Sequence, residues 1–147
     1  MEVNAIQAGF NLDHIALESS NSEKLSNFYK TIMKMDLIFK NNEYIICEGP
    51  SRKIIIKNGK SNRLAFAGFS CRSNENLIGF KVFIKNRGVE IQDFKNPYFE
   101  KGSFSIKDPD NNLISFGLTI EKTKTQKNSS KAPLQHLTIS SLNVENF

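Results

Sequence analysis

The hydrophobic pattern of the chain opens with one strand and one helix. The largely apolar residues 12–17 predict a β-strand. Ser20-Asn21-Ser22-Glu23 follows and fits a capping box, in which Ser20 accepts from a first-turn amide and Glu23 reaches back. Apolar residues then recur at helical spacing and predict one buried stripe on the helix, formed by Leu25, Phe28, Tyr29 and Ile32.

Three β-rich segments complete this first unit. They cover residues 36–40, 43–48 and 52–57, and the turn formers Asn41-Asn42 and Gly49-Pro50-Ser51 separate them. The predicted order of elements is therefore strand, helix, strand, strand, strand.

The same order starts again at Arg63. Residues 63–66 take the place of the first strand, and a helix is predicted over residues 73–87, with Gly88 in the left-handed conformation at its end. Its buried face is expected to hold Leu77, Phe80 and Ile84. Strands are predicted at residues 89–94, 103–107 and 113–118. The last two are joined by Asp108-Pro109-Asp110-Asn111-Asn112, where an Asp side chain caps the bend and Asn111 takes a left-handed conformation.

A third start follows a polar segment. Residues 121–133 are rich in Thr, Gln, Asn, Ser and Lys, and they predict a flexible linker. Leu134-Gln135-His136-Leu137 then repeats the first opening, and residues 143–147 resemble the first turn of another amphipathic helix. We expect residues 134–147 to be the truncated start of a second module, with a frayed end or a segment docked on the first module as the alternatives.

Length and composition exclude several classes of protein. The 147 residues suit one domain, or one and a fragment, and 39% hydrophobic residues are too many for a disordered chain. No apolar run approaches the roughly 20 residues of a membrane span. The N-terminus lacks the features of a signal peptide, and the two cysteines are expected to be buried free thiols. These features favour a cytoplasmic protein without a membrane partner.

The net charge of +5 does not indicate nucleic-acid binding. Residues 1–120 carry 16 basic and 13 acidic side chains without clustering, and residues 121–133 carry four Lys against one Glu. A nucleic-acid surface needs a basic stripe on an ordered face, and the sequence contains no such stripe. We therefore expect no nucleic-acid partner.

The duplicated βαβββ unit, together with its local motifs, resembles the vicinal oxygen chelate superfamily of glyoxalases, bleomycin-resistance proteins and extradiol dioxygenases. The motifs are the His14-Ile15-Ala16-Leu17 opening, the Phe28-Tyr29 pair and the closing Asp108-Pro109-Asp110-Asn111-Asn112-Leu113-Ile114. The segments at residues 53–59 and 63–69 are most similar to the N-terminal module of two-module extradiol ring-cleaving dioxygenases.

The resemblance implies an α+β fold, the glyoxalase/dioxygenase fold, in which paired βαβββ units form a half-barrel cup. One module would cover residues 10–120, with units at about residues 10–60 and 61–120. In metal-binding relatives the ligands come from the first and last strand of each unit. Carried over, these places hold His14, Arg63 and Ser115, and the fourth falls in residues 52–57, which offer only Arg, Lys and Ile.

The first module is therefore expected to bind no metal, because Arg63 is permanently charged and Ser115 is a poor ligand. His14 is interpreted as a hydrogen-bonded cup residue, with Phe66, Phe69 and Phe104 as candidate cup-lining aromatics. In the resemblance, Fe(II) is held by the C-terminal module through two His and one Glu. His136 is then the candidate iron ligand, and it would act only together with ligands from a further module.

Two function hypotheses from different classes follow. In the first, the chain is the N-terminal module of an extradiol dioxygenase-like oxidoreductase of aromatic compound degradation, which uses Fe(II), O2 and a catecholic substrate when complete. The isolated chain would be inactive and would form a homo-oligomer. In the second, it is a metal-free ligand-binding protein of the bleomycin-resistance type. A glyoxalase-like enzyme is a weaker alternative, because no carboxylate occupies an expected ligand position.

Overall fold

The computed structural model of the protein describes residues 1–120, Leu134 and Thr138. The linker expected at 121–133 and the module start expected at 134–147, including His136, therefore lie outside the described residues, apart from Leu134 and Thr138. The elements run α1 Ala5–Ala8, β1 Asn11–Ser19, α2 Ser22–Thr31, β2 Asp36–Lys40, β3 Tyr44–Gly49, β4 Arg52–Asn58, β5 Arg63–Ser70, α3 Asn74–Lys85, β6 Phe104–Lys107 and β7 Leu113–Gly117.

The described chain divides into two compact units. The first unit is Asp13–Phe66, and the second combines Met1–Leu12 with Ala67–Ile120. In the first unit the strand order is β2-β3-β4-β1, with β1 parallel to β4 and the other neighbours antiparallel. In the second unit the order is β5-β7-β6, with β5 parallel to β7 and β6 antiparallel to it.

Helix α2 covers the core of the first unit with a different face from the predicted one. Leu25 and Tyr29 of α2, together with Met33 just beyond the helix, pack against the core, whereas Phe28 and Ile32 are 46% and 67% exposed. Positions four residues apart form the inward line, so the predicted stripe is half wrong. The buried core residues that they cover are Met35, Ile45, Cys47, Ile54 and Ile56.

The predicted capping box of α2 is also wrong. Asn21 is the N-cap, and its side chain accepts a hydrogen bond from the Lys24 amide at 2.9 Å. Ser20 instead bonds the hydroxyl of Ser61 at 2.7 Å. Asn caps a helix as well as Ser does. The helix therefore begins one residue later than predicted, and Ser20 makes its hydrogen bond to the loop that contains Ser61.

The core of the second unit forms beneath α3, as its periodicity predicts. Leu77, Phe80 and Ile84 are all at most 6% exposed, and Gly88 has the expected positive φ of 76°. The turn at 108–112 is confirmed as well. Asp108 Oδ1 accepts from the Asn112 amide at 2.8 Å, and Asn111 has a φ of 64°.

The strand predicted at residues 89–94 does not form. Only Gln92 makes a bridge, to Ser105, because β6 starts at Phe104 and offers little more to pair with. Pro97 has no N–H for a continuing ladder, and Phe99 bridges to Thr119 instead. Phe99 then packs over Gly117, where an added Cβ would lie 2.5 Å from its ring.

The N-terminal segment docks on α3, which the sequence patterns do not predict. Asn4 and Gln7 form a capping box around α1, and the Val3 amide donates to the Gly79 carbonyl at 3.3 Å. Glu2 adds contacts to Asn86 and Arg87 at the end of α3. None of the helices in residues 1–120 is long and apolar enough to cross a membrane.

Candidate functional site

A row of buried polar side chains crosses the sheet of the first unit. His14 on β1 is the register partner of Lys53 on β4, and Lys53 is the partner of Glu48 on β3. Register partners point to the same face of a sheet, so the three side chains lie side by side. They are 0%, 9% and 2% exposed, respectively. We call them the His14 row.

Strand alternation explains why these polar residues share one face. On β4, Ile54 and Ile56 belong to the core beneath α2, so Lys53 between Arg52 and Ile54 points to the opposite face. On β3, Cys47 is in the same core, and Glu48 next to it also points away. Burial of the apolar residues on one face of the sheet therefore places the His14 row on the opposite face.

The His14 ring is held by two neighbours. Its Nδ1–H donates to Asp13 Oδ2 at 2.6 Å, and the two side chains are 0% and 8% exposed. An ionised carboxylate only accepts, so this bond places the proton on Nδ1. The ring edge meets Phe66, with ring centroids 5.9 Å apart and planes at 85°. Asp13 and Phe66 therefore fix both the orientation and the tautomer of the imidazole.

The donors of the His14 row do not fit a ferrous ion. Lys53 stands between His14 and Glu48, and adjacent strands are only about 4.8 Å apart. Its ammonium would repel a cation bound at His14, and it supplies no lone pair while protonated. Within residues 1–120, no three His, Cys, Asp or Glu side chains are grouped so that they could hold a metal.

Arg63 does not join the His14 row. It is the first residue of β5, and its side chain is 65% exposed. Its Nε lies 3.9 Å from Oε2 of Glu18. Glu18 is four residues along β1 from His14, which corresponds to about 13 Å of strand. Arg63 thus forms a surface ion pair near the other end of β1.

Ser115 is buried in the second unit and already has a partner. Its hydroxyl lies 2.7 Å from that of Ser105, its register partner on β6, and both residues are 0% exposed. Either hydroxyl can be the donor, and each satisfies the other. Two buried hydroxyl groups that bond each other are poor metal ligands.

The expectation that Phe69 and Phe104 line a cup does not match their placement. Phe104 is 3% exposed and packs with Phe80 and Phe116 beneath α3, and Phe69 stacks on Phe116 at 6.1 Å. Alternation along β6 gives the opposite face to Ser105. Both aromatic rings belong to the core of the second unit.

The two cysteines are free and buried, as expected. Burial raises the pKa of the Cys47 thiol to about 11, and it also raises the pKa of Cys71. The nucleophilic form of a thiol is the thiolate, so both groups are poor nucleophiles near neutral pH. They serve as small core residues.

The sequence interpretation did not single out Asp13, Glu48 or Lys53. The predicted fourth ligand place, residues 52–57, contains Lys53, but only the register with His14 identifies it. Glu48 gave a weak local signal, as an acidic residue at the end of an apolar strand. Pairing between distant strands, which creates the row, has no signature in any short stretch of sequence.

No protein-family model and no curated protein matches the sequence. Solved structures do match. The chain is similar to a catechol 2,3-dioxygenase, with a TM-score of 0.65 and 18% identity over 74% of this chain and 38% of that one. It is also similar to homoprotocatechuate 2,3-dioxygenase from Brevibacterium fuscum, with a TM-score of 0.66 and 13% identity over 78% of this chain and 38% of that one.

The homoprotocatechuate 2,3-dioxygenase from Arthrobacter globiformis gives a TM-score of 0.64 and 14% identity, over 84% of this chain and 38% of that one. The chain thus spans less than two fifths of the length of these enzymes, and most of its own residues take part in the likeness. The α+β architecture expected from the resemblance is confirmed. The chain has the fold of one module of the extradiol dioxygenases.

Proposed function

We propose that the chain is the N-terminal, metal-free module of an extradiol ring-cleaving dioxygenase-like protein. The likeness to solved dioxygenases carries this proposal, because it covers at least 74% of this chain but only 38% of each of the three enzymes named above. A part of that size corresponds to one module. In the complete protein, the resemblance implies Fe(II), O2 and a catecholic substrate.

The His14 row supports a scaffold role for this module. It is a buried set of two carboxylates, one imidazole and one ammonium when Asp13 is included, and the ammonium offsets part of the negative charge. His136 would contribute to iron binding only together with residues of a further module.

In the first experiment the purified chain is loaded with Fe(II) under anaerobic conditions and its bound iron is measured. Catechol and O2 are then added, and ring opening is measured. We expect neither stoichiometric binding nor turnover, and we expect His14→Ala to bind as little iron as the parent. Stoichiometric Fe(II) that is lost in His14→Ala, with catechol opened in the parent, would overturn the proposal.

A second experiment reads the gene beyond the Phe147 codon. A continuing frame with a further His and a Glu at the expected strand positions supports the proposal, and a stop codon directly after Phe147 contradicts it. In that event, saturable iron-independent binding of a planar aromatic ligand would favour the bleomycin-resistance type of function.

We further propose a cytoplasmic location, a homo-oligomeric state and no nucleic-acid or membrane partner. The buried free thiols and the even spread of charge over residues 1–120 support these proposals. Fractionation of cells followed by immunodetection tests the location, and a membrane-associated pool would contradict it.

A further inference from the structure

Strand β2 is the outermost strand of the first unit. It pairs with β3 on one side, and in the described part of that unit no strand follows it on the other. The backbone groups of an edge strand offer a template for another strand.

Three consecutive apolar side chains of β2 are exposed. Leu37, Ile38 and Phe39 are 39%, 40% and 43% exposed. Protective edge strands of soluble proteins usually carry a charge at such central positions. The charges of β2 stand only at its two ends, Asp36 and Lys40.

A bulge places these apolar groups on both faces of the edge. Leu37 is the partner of Cys47 and Phe39 the partner of Ile46, so Ile38 is the extra residue between them. Cys47 and Ile46 point to opposite faces of β3, and so do Leu37 and Phe39. A bulge also increases the local twist of a strand.

The end charges select one arrangement of two copies. In an antiparallel pair centred on Ile38, Asp36 of each copy faces Lys40 of the other, and Leu37 faces Phe39. A parallel in-register pair would instead set Asp against Asp and Lys against Lys, which is destabilising. We propose that β2 pairs antiparallel with β2 of a second copy, which gives a two-fold symmetric dimer.

An existing contact of Lys40 does not block this pairing. Lys40 forms an ion pair with Glu23 of α2, and the two side chains are 49% and 66% exposed. Exposed ion pairs contribute little to stability, so Lys40 can exchange this partner at small cost.

The test is a charge swap read by sedimentation equilibrium over a range of concentrations. Asp36→Lys sets Lys against Lys, and Lys40→Asp sets Asp against Asp. Each single change should weaken dimerisation about tenfold or more, because two symmetric contacts become repulsive. The double variant Asp36→Lys/Lys40→Asp restores opposite charges and should recover most of the affinity.

Matched controls separate the interface from general effects. Glu23→Gln removes the ion pair of Lys40 within the chain and should leave the dimer unchanged. Ile38→Lys should give a monomer, whereas Ile78→Lys, an equally drastic change at a 55% exposed position on α3, should not. Circular dichroism and thermal melting confirm that each variant is folded.

Several outcomes would overturn the dimer. They are a parent that stays monomeric at all concentrations, single charge changes without effect, and a double variant that is no better than the singles. Single variants that remain monomers but lose stability would show that another part of the chain covers the edge. None of these readouts depends on iron or catechol, so pairing through β2 can fail while the proposed dioxygenase-module function stands, although a monomeric parent would also contradict the proposed homo-oligomeric state.

Discussion

Lys53 lies beside His14 on the neighbouring parallel strand, and both side chains are buried on the same face of the first unit's sheet. An ammonium thus stands beside the imidazole, in the segment to which the resemblance assigns the fourth ligand place of metal-binding relatives. A metal cation could bind at His14 only if the Lys53 ammonium moved away or lost its proton. The energetic role of the row can be measured directly.

The first prediction concerns the coupling of Glu48 and Lys53, which are register partners at 2% and 9% exposure. Lys53→Met removes a cation on the strand next to the buried Glu48 carboxylate and should lower the free energy of unfolding by about 1–3 kcal/mol. The double variant Glu48→Gln/Lys53→Met should cost less than the sum of the single changes, by about 1 kcal/mol or more. Urea unfolding measures all three variants.

Lys60→Met is the matched control, because Lys60 is exposed in the loop after β4. Its effect should stay within about 0.5 kcal/mol. Strictly additive effects of the Glu48 and Lys53 changes would show that the two charges do not interact.

The second prediction concerns the buried hydroxyl pair of Ser105 and Ser115, whose oxygens are 2.7 Å apart. Ser115→Ala leaves the Ser105 hydroxyl without this partner and should lower the free energy of unfolding by about 1–2 kcal/mol. Ser105→Ala/Ser115→Ala removes both groups and should cost less than twice that amount. Thermal and urea unfolding provide the comparison, and a double variant that costs the full sum would refute mutual satisfaction.

The third prediction concerns Gly79, against which the N-terminal segment packs. A Cβ at this position would lie 2.6 Å from Val3 Cγ2 and 3.0 Å from the Met1 carbonyl oxygen. Gly79→Ala should therefore release the segment, although alanine suits the helix itself better by up to about 1 kcal/mol. Faster hydrogen exchange at the Val3 amide and faster proteolysis before Asn4 should report the release.

Two variants control this experiment. Gly79→Ala/Val3→Ala removes the clashing methyl group and should restore part of the protection. Gly88→Ala strains a residue with a φ of 76° but meets no atom within 4 Å, so it should lower stability without releasing the segment. Unchanged exchange at Val3 in Gly79→Ala would mean that the segment shifts without detaching.

The fourth prediction follows from the raised pKa of Cys47, about 11 in the folded protein against an ordinary 9.0. Between these values the unfolded chain loses its thiol proton first, so the folded state binds more protons. The free energy of unfolding should then be unaffected by this group below pH 9 and should fall as the pH rises from 9 towards 11.

Cys47→Ala removes this thiol and also the influence of its charge on Tyr29, whose pKa is raised by burial and then by the Cys47 thiolate. The difference in unfolding free energy between the parent and Cys47→Ala should change with pH only above about 9. Parallel pH curves for the two proteins would contradict the assignment.

Local chemistry made part of the fold predictable. The inward face of α3 follows from apolar residues at helical spacing, and the turn at Asp108 and Asn111 follows from side chains that bond their own backbone. Helix α1 went unpredicted because four residues give no periodicity, although Asn4 and Gln7 already carried a capping pattern.

Long-range pairing limited the prediction of the site. His14 was singled out from its motif, but Glu48 and Lys53 became its neighbours only through the register of three strands. The predicted strand at 89–94 failed for a related reason. Its apolar residues Val89 and Ile91 do pack on the core, yet only Gln92 finds a ladder partner. Apolar character showed burial and did not show whether a partner strand was present.

The absence of the strand predicted at residues 89–94 limits how many copies of the chain can assemble through strand edges. In the first unit the outermost place of the sheet is taken by β2, an edge with a free side, whereas beside β6 the corresponding place holds the single bridge of Gln92. Within residues 1–120 the two repeats therefore do not offer two equivalent edges. Pairing of two copies through β2 uses the one edge of this kind that residues 1–120 offer, so these residues leave no equivalent edge for a third copy and the pairing closes at two.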